Sequence, residues 1–241
     1  MKTSFIYVSD TSAGTITKFH EDGTSIVVAK NLNQPAAPAL DRRGNLLYAA
    51  VSGTGTVEKF DLNGNHSSFA TGLNKPAGLV MDRCGNLFVA NAGNGTIVKV
   101  DSGGHSSIFA SELSLTNPYL AFDADEYLYA STTRTIEKFT SDGAHTTILS
   151  VQNFVYGLAF DGCSRLFVSL QNAGSIKGLP GNGLLSSDNP LTFCPAGIAS
   201  DSGQGCLYVA LGQSIRRYRL DGCGAVFATG FANAQYLAVF P

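Results

Sequence analysis

The side chains able to carry chemistry in this chain are sparse, and their spacing tells against most reactions. Histidine, the commonest zinc ligand and the usual base near neutral pH, occurs four times, as His20, His66, His105 and His145. The last three fall at nearly one spacing, 39 and 40 residues apart. That spacing suits equivalent points of successive structural units, whereas zinc ligands must all approach within about 2.1 Å of one ion. All four read as solvated edge residues. Five cysteines, Cys84, Cys163, Cys194, Cys206 and Cys223, offer no activated nucleophile: no histidine recurs near Cys194, and Gly-x-Ser-x-Gly is absent. Cys194, before Pro195, reads as a small buried filler. Cys206 and Cys223 are the only pair placed to bridge, and the odd count suggests mostly free thiols.

The elements that would position these residues announce themselves by repetition. An isoleucine or valine recurs at Ile16, Val57, Ile97, Ile136, Ile176 and Ile215, followed seven places later by Gly23, Gly64, Gly104, Gly143, Gly183 and Gly222. A period of 39 to 41 residues with turn glycines in register marks units that stack into one shared core. Each copy holds four short runs rich in β-branched and aromatic residues; in the third these are 76–81, 86–90, 95–100 and 106–110. Asp-x-x-Gly separates the first two runs at Asp41 and Asp82, with weaker copies after Asp123, Asp161 and Asp201. Aspartate can cap such a turn and glycine tolerates its positive φ, so these carboxylates read as turn residues. No apolar run keeps helical spacing beyond one turn, and the chain reads as all β.

A four-stranded unit of about 40 residues is the blade of a propeller. Six copies predict a single domain, a six-bladed β-propeller of four-stranded antiparallel blades. Phe5-Ile-Tyr-Val matches Leu87-Phe-Val-Ala, and Tyr236-Leu-Ala-Val-Phe matches Gly78-Leu-Val-Met. The C-terminal strand should therefore join the N-terminal blade and close the ring. The expected blades are 235–241 plus 1–33, 34–74, 75–115, 116–153, 154–193 and 194–234, covering 1–241.

Pro76-Ala-Gly-Leu, Asp82-Arg-Cys-Gly-Asn-Leu-Phe-Val-Ala and Gly95-Thr-Ile-Val-Lys-Val, with their copies, resemble the NHL-repeat and SMP-30/gluconolactonase-like six-bladed propellers along all 241 residues. Those families include lactonases, lyases, sensor domains and RNA-binding modules, so the resemblance implies a fold more than an activity. In SMP-30-like lactonases, Asn, Asp and Glu at the start of innermost strands hold a divalent cation. The matching positions here are Ala36, Ala77, Pro118, Tyr156, Ala196 and Gln235, and one place on Ala37, Gly78, Tyr119, Gly157, Gly197 and Tyr236. A hard cation wants several oxygen ligands, preferably anionic, so no cofactor is expected. The alternative is a metal-dependent hydrolase or lyase with a non-standard site, for example a divalent cation such as calcium held by Asp10 and Glu112 with Asn ligands.

Residues present in every blade hold the ring together; Lys18, Lys59, Lys99, Lys138 and Arg217 read as packing on this ground. The departures point elsewhere. Tyr119 and Tyr236 replace an inner-strand Gly or Ala, and Tyr156 replaces the neighbouring small residue. Loops on the channel-mouth face add amides and a cation, giving an expected ligand-binding set of Tyr119, Tyr156, Tyr236, Asn153, Gln235, Asn91 and Arg134. Asn94, Asn117, Asn172 and Gln213 fall in the same loops. Aromatic faces among neutral amides suit a small polar ligand such as a sugar or peptide, or a protein segment. Two other readings stand beside it: large side chains that plug the channel, and a tyrosine-based catalysis with no recognisable constellation.

With 44% hydrophobic residues the chain can bury one large core. Its net charge of −2, with 14% charged residues, leaves no basic field to gather nucleic acid or an anionic membrane surface. No run approaches the roughly 20 apolar residues of a membrane span, and Met1 to Ser9 is too short for a secretory leader. A monomer is expected. The composition fits a secreted domain or a cytoplasmic protein alike.

Overall fold

The computed structural model describes residues 4–61, 65–171, 174–179, 195–219 and 224–240. Among them every regular element is a strand. The first three are β1 (Phe5–Asp10), β2 (Thr15–His20) and β3 (Ser25–Ala29). Three four-stranded antiparallel sheets follow. They are β4 (Pro35–Leu40), β5 (Leu47–Val51), β6 (Thr56–Phe60) and β7 (His66–Ala70); β8 (Pro76–Met81), β9 (Leu87–Asn91), β10 (Thr96–Val100) and β11 (Ser106–Ala110); and β12 (Leu120–Phe122), β13 (Leu128–Ser131), β14 (Thr135–Phe139) and β15 (His145–Ser150). Next come β16 (Val155–Phe160), β17 (Leu166–Leu170) and β18 (Ser175–Leu179). The last are β19 (Ile198–Asp201), β20 (Cys206–Ala210), β21 (Gly212–Arg219) and β22 (Gly224–Phe240). The protein is an all-β propeller of four-stranded antiparallel blades.

Burial follows strand rank. Each second strand is buried on both faces, as in β5, β9 and β17, which is why it reads as an unbroken apolar run rather than an alternation. The fourth strands β7 and β11 expose their first three residues, His66, Ser67 and Ser68 in one and Ser106, Ser107 and Ile108 in the other. The recurrent Ile16, Val57, Ile97, Ile136, Ile176 and Ile215 on the third strands are all 0% exposed, each contributing about 1.5–3 kcal/mol of apolar burial. A β-bulge follows that residue in five units, at Ile16/Thr17, Val57/Glu58, Ile97/Val98, Ile136/Glu137 and Ile215/Arg216, adding twist where the third strand meets the fourth.

β22 lies at the centre of one seven-stranded sheet, ordered β19-β20-β21-β22-β1-β2-β3. Its first part pairs with β21, Ser214 opposite Thr229, and its last part with β1, Phe5 opposite Phe240 and Ser9 opposite Tyr236. The innermost strands neighbour one another in sequence, β4 with β8, β8 with β12, β12 with β16, β16 with β19, β19 with β22 and β22 with β4.

The recurrent lysines pack as expected. The Lys18 ammonium lies 3.7 Å from the Phe5 ring centroid and that of Lys138 lies 3.8 Å from Tyr127, within cation–π range. The turn aspartates cap their hairpins: Asp82 Oδ1 accepts the N–H groups of Cys84 and Asn86, and Asp41, Asp123 and Asp161 repeat the pattern. Cys84 and Cys163 are exposed and Cys206 is buried. Cys194, Asn172 and Cys223, and with Cys223 the expected Cys206–Cys223 pairing, lie outside the described residues.

Candidate functional site

The mouth face carries the blade-joining loops and the turns between second and third strands. Below it, adjacent innermost strands touch backbone to backbone. A Cβ added at Gly157 would lie 2.6 Å from the Ile198 amide nitrogen and 2.8 Å from the Ala196 carbonyl oxygen, so glycine is required at this position.

Two serines that the sequence reading passed over stitch these seams. Ser131 Oγ accepts from the Tyr119 N–H at 2.8 Å and donates to the Tyr156 carbonyl at 3.1 Å. Ser169 Oγ accepts from the Gly157 N–H at 2.6 Å and donates to the Ala196 carbonyl at 2.6 Å. Each hydroxyl thus ties its own inner strand to the next one. The signal was present: Ser131 and Ser169 stand where β5, β9 and β20 carry Ala50, Ala90 and Ala210.

Tyr119 and Tyr236 occupy the glycine column. Their rings stack with centroids 4.7 Å apart and planes 22° apart, and the Tyr119 hydroxyl donates to the Gln235 carbonyl. Gly197 leaves the necessary space, since a Cβ there would come within 2.9 Å of the Tyr119 hydroxyl. Both tyrosines are buried, at 7% and 3% exposure. Burial, reinforced by the neighbouring phenols, holds both hydroxyl groups well above the ordinary tyrosine range. They stay neutral in any physiological buffer.

Tyr156 differs. It is half-buried, and its hydroxyl accepts from Asn117 Nδ2 at 3.2 Å. Arg134 is exposed on the β13–β14 turn with its guanidinium 5.8 Å from the Phe154 ring centroid. Its carbonyl accepts the Val151 N–H at 2.9 Å, tying that turn to the loop that carries Asn153. Gln235 is half-buried, and its carbonyl also accepts the Gly197 N–H at 2.8 Å. The structure therefore gathers Tyr119, Tyr156, Tyr236 and Gln235, with Arg134 and Asn153 on adjoining loops. Asn91 stands apart at 2% exposure, donating to Thr96 Oγ1 at 3.1 Å within its own turn.

Both oxygens of Asp10 are committed to the backbone. Oδ1 accepts from the Ala13 and Asn233 N–H groups at 2.9 Å each, and Oδ2 from the Ala232 N–H at 2.6 Å. Glu112 lies on a loop with a positive φ of 61°. Among the described residues no three His, Cys, Asp or Glu side chains converge as a metal site would require. The histidines pair with carboxylates of their own blades, His105 with Asp101 at 3.1 Å and His145 with Glu137 at 3.2 Å. Lys30, Lys75 and Arg134 stand on mouth-face loops, whereas the turn aspartates lie at the opposite end. At that opposite end a cavity of about 380 Å³ runs along the axis between the innermost strands, lined by Ala39, Val80, Ala121, Ala159, Ala199 and Ala238 among others.

No protein-family model matches the sequence, and no curated protein matches it. Solved structures do match. A chain of a nidogen/laminin complex superposes with a TM-score of 0.80 at 16% identity over 98% of both chains. A gluconolactonase from Xanthomonas campestris gives 0.77 at 14% identity, covering 98% of this chain and 88% of that one. A virginiamycin B lyase from Staphylococcus aureus gives 0.69 at 14% identity over 91% and 79%. At these identities the likeness is one of fold, that of the gluconolactonase-like and virginiamycin B lyase β-propellers.

Proposed function

We propose that this chain is an NHL-like propeller module that binds a small polar ligand, a sugar or peptide, or a segment of another protein, at its mouth face without catalysing a reaction. The observation that carries this reading is the half-buried phenol of Tyr156, steadied by Asn117 beside the buried Tyr119–Tyr236 pair. An aromatic face with fixed amides around it gives a ligand contact area and an orientation. Tyr156, Asn153, Gln235 and Arg134 would touch the ligand, Tyr119 and Tyr236 would form the floor, and Asn91 would hold the neighbouring turn.

The same reading takes the ring as six blades, 235–241 plus 1–33, 34–74, 75–115, 116–153, 154–193 and 194–234, closed by the C-terminal strand. In its support, β22 pairs with β1 and each innermost strand neighbours the next. A panel of glycans and peptides screened by calorimetry tests the binding. Tyr156→Ala should abolish the response while leaving the melting midpoint nearly unchanged; binding that survives it sinks the assignment.

The second reading is a metal-dependent hydrolase or lyase, favoured by the gluconolactonase and the lyase among the similar structures. Unfolding of chelator-stripped protein with and without calcium, manganese or zinc separates the two. A cation at a hundredfold excess over its dissociation constant stabilises the native state by about 2.7 kcal/mol, and a clear shift would bring lactonase and lyase assays to the front.

A further inference from the structure

The outermost strands depart from their common pattern in one place. β7, β11 and β15 present Ser, Thr and His to solvent, and β11, β15 and β22 each expose a single aliphatic residue, Ile108, Ile148 and Val226. β3 exposes two in a row, Ile26 at 54% and Val27 at 57%. It is also the last strand of its sheet, so one row of its backbone N–H and C=O groups has no strand beside it. Edges of this kind are normally blunted by lysine, proline or an inward charge; Ser25-Ile26-Val27-Val28-Ala29 has none. Cavities of about 260 Å³ and 410 Å³ flank it, walled by Val28, Leu40, Leu47 and Phe60 together with the two exposed residues.

The charges at its ends are self-complementary. Asp22 precedes the strand and Lys30 follows it. Laid antiparallel on an identical strand about Val27, the sequence sets Ser25 opposite Ala29 and Ile26 opposite Val28. Lys30 then falls opposite Thr24, diagonal to Asp22 and within reach of its carboxylate, and the two-fold axis repeats the contact on the other side. An acidic start and a basic end complement themselves only in this antiparallel arrangement.

We propose that β3 pairs with β3 of a second copy of this chain, giving a two-fold dimer with a sheet continuous across both molecules. Sedimentation velocity over an approximately hundredfold range of concentration tests it. The expected species is twice the 25.2 kDa chain, dissociating as the protein is diluted. Val27→Lys should leave a monomer with an unchanged melting midpoint. Asp22→Lys and Lys30→Asp should each weaken association several-fold, and the double exchange should restore it. A monomer at every concentration overturns the proposal, as does a dimer indifferent to Val27→Lys or a double exchange no stronger than the single changes.

Discussion

The carboxylate of Asp10 accepts the backbone N–H of Asn233 at 2.9 Å, across 223 positions of sequence. With the Ala13 and Ala232 N–H groups on the same carboxylate, one buried side chain ties the turn after β1 to the middle of β22. Removing it would leave three N–H groups without an acceptor. Asp10→Ala should cost about 3 kcal/mol, read as a drop in the urea midpoint with an unchanged slope, and Asp10→Asn should recover part of it. An Asp10→Ala protein as stable as wild type would mean that the ends are held elsewhere.

Ser131 and Ser169 each satisfy one inner-strand N–H and one carbonyl of the next strand, in surroundings closed to water. Alanine at either site strands both partners. Each change should cost about 1–3 kcal/mol; because the two hydroxyls hold the C=O and the N–H of one peptide group, between Tyr156 and Gly157, the double change should depart from the sum of the single losses. Ser9, at the same place in β1, is 0% exposed and its hydroxyl has no hydrogen-bond partner. Ser9→Ala should therefore be neutral or slightly stabilising, a contrast that denaturation curves of the three variants resolve directly.

The tyrosines of the mouth should divide into two classes. Tyr119→Ala opens a cavity beneath the stack and should cost about 3–5 kcal/mol. Tyr156→Ala removes a half-exposed ring and should cost little while eliminating ligand binding. Equal destabilisation by both would mean that Tyr156 is part of the plug.

Alkali should act through the buried phenols. Their folded-state pKa values lie above the ordinary value near 10, so the stability they confer is present below about pH 10 and is lost as pH rises through the folded value. Absorbance at alkaline pH should show part of the nine tyrosines titrating only as the protein unfolds. Tyr119→Phe should flatten the alkaline limb of stability against pH.

Glu137 acts at the opposite limb. Burial works to raise its pKa, but hydrogen bonds from Thr135, His145 and Thr147 outweigh that and leave it below the usual glutamate value. Its contribution is therefore present above that value and lost as pH falls through the lower folded pKa. Glu137→Gln should lower stability at neutral pH and reduce the fall as pH drops below the usual glutamate range; parallel acid limbs in mutant and wild type would contradict this.

The blades were legible because their physics is local. A fully buried Ile or Val, a capped Asp turn and a run of Ser and Thr on the outermost strand each leave a mark at fixed spacing, and Ile97, Asp82 and Ser106 sit where their spacing placed them. The gathering of Tyr119, Tyr156 and Tyr236 was legible for the same reason, as breaks in a column of small residues. What they do there was not, because it depends on contacts between distant blades. Tyr119 reaches the Gln235 carbonyl, 116 positions away, and no period foretells that. Asn91 belonged to the right loop, yet its amide turns inward to Thr96, a rotamer choice that loop membership does not fix. Ser131 and Ser169 escaped notice because serine for alanine barely alters an apolar pattern.

The stacking of Tyr119 on Tyr236 has an optical consequence. The chain contains no tryptophan, so its near-ultraviolet circular dichroism arises mainly from phenol chromophores. Two of them lie 4.7 Å apart, close enough for their transitions to couple. One belongs to the middle of the chain and the other to its last strand, so the coupled band exists only while those parts are docked. The molecule thus carries a native, label-free reporter on the docking of its middle against its last strand.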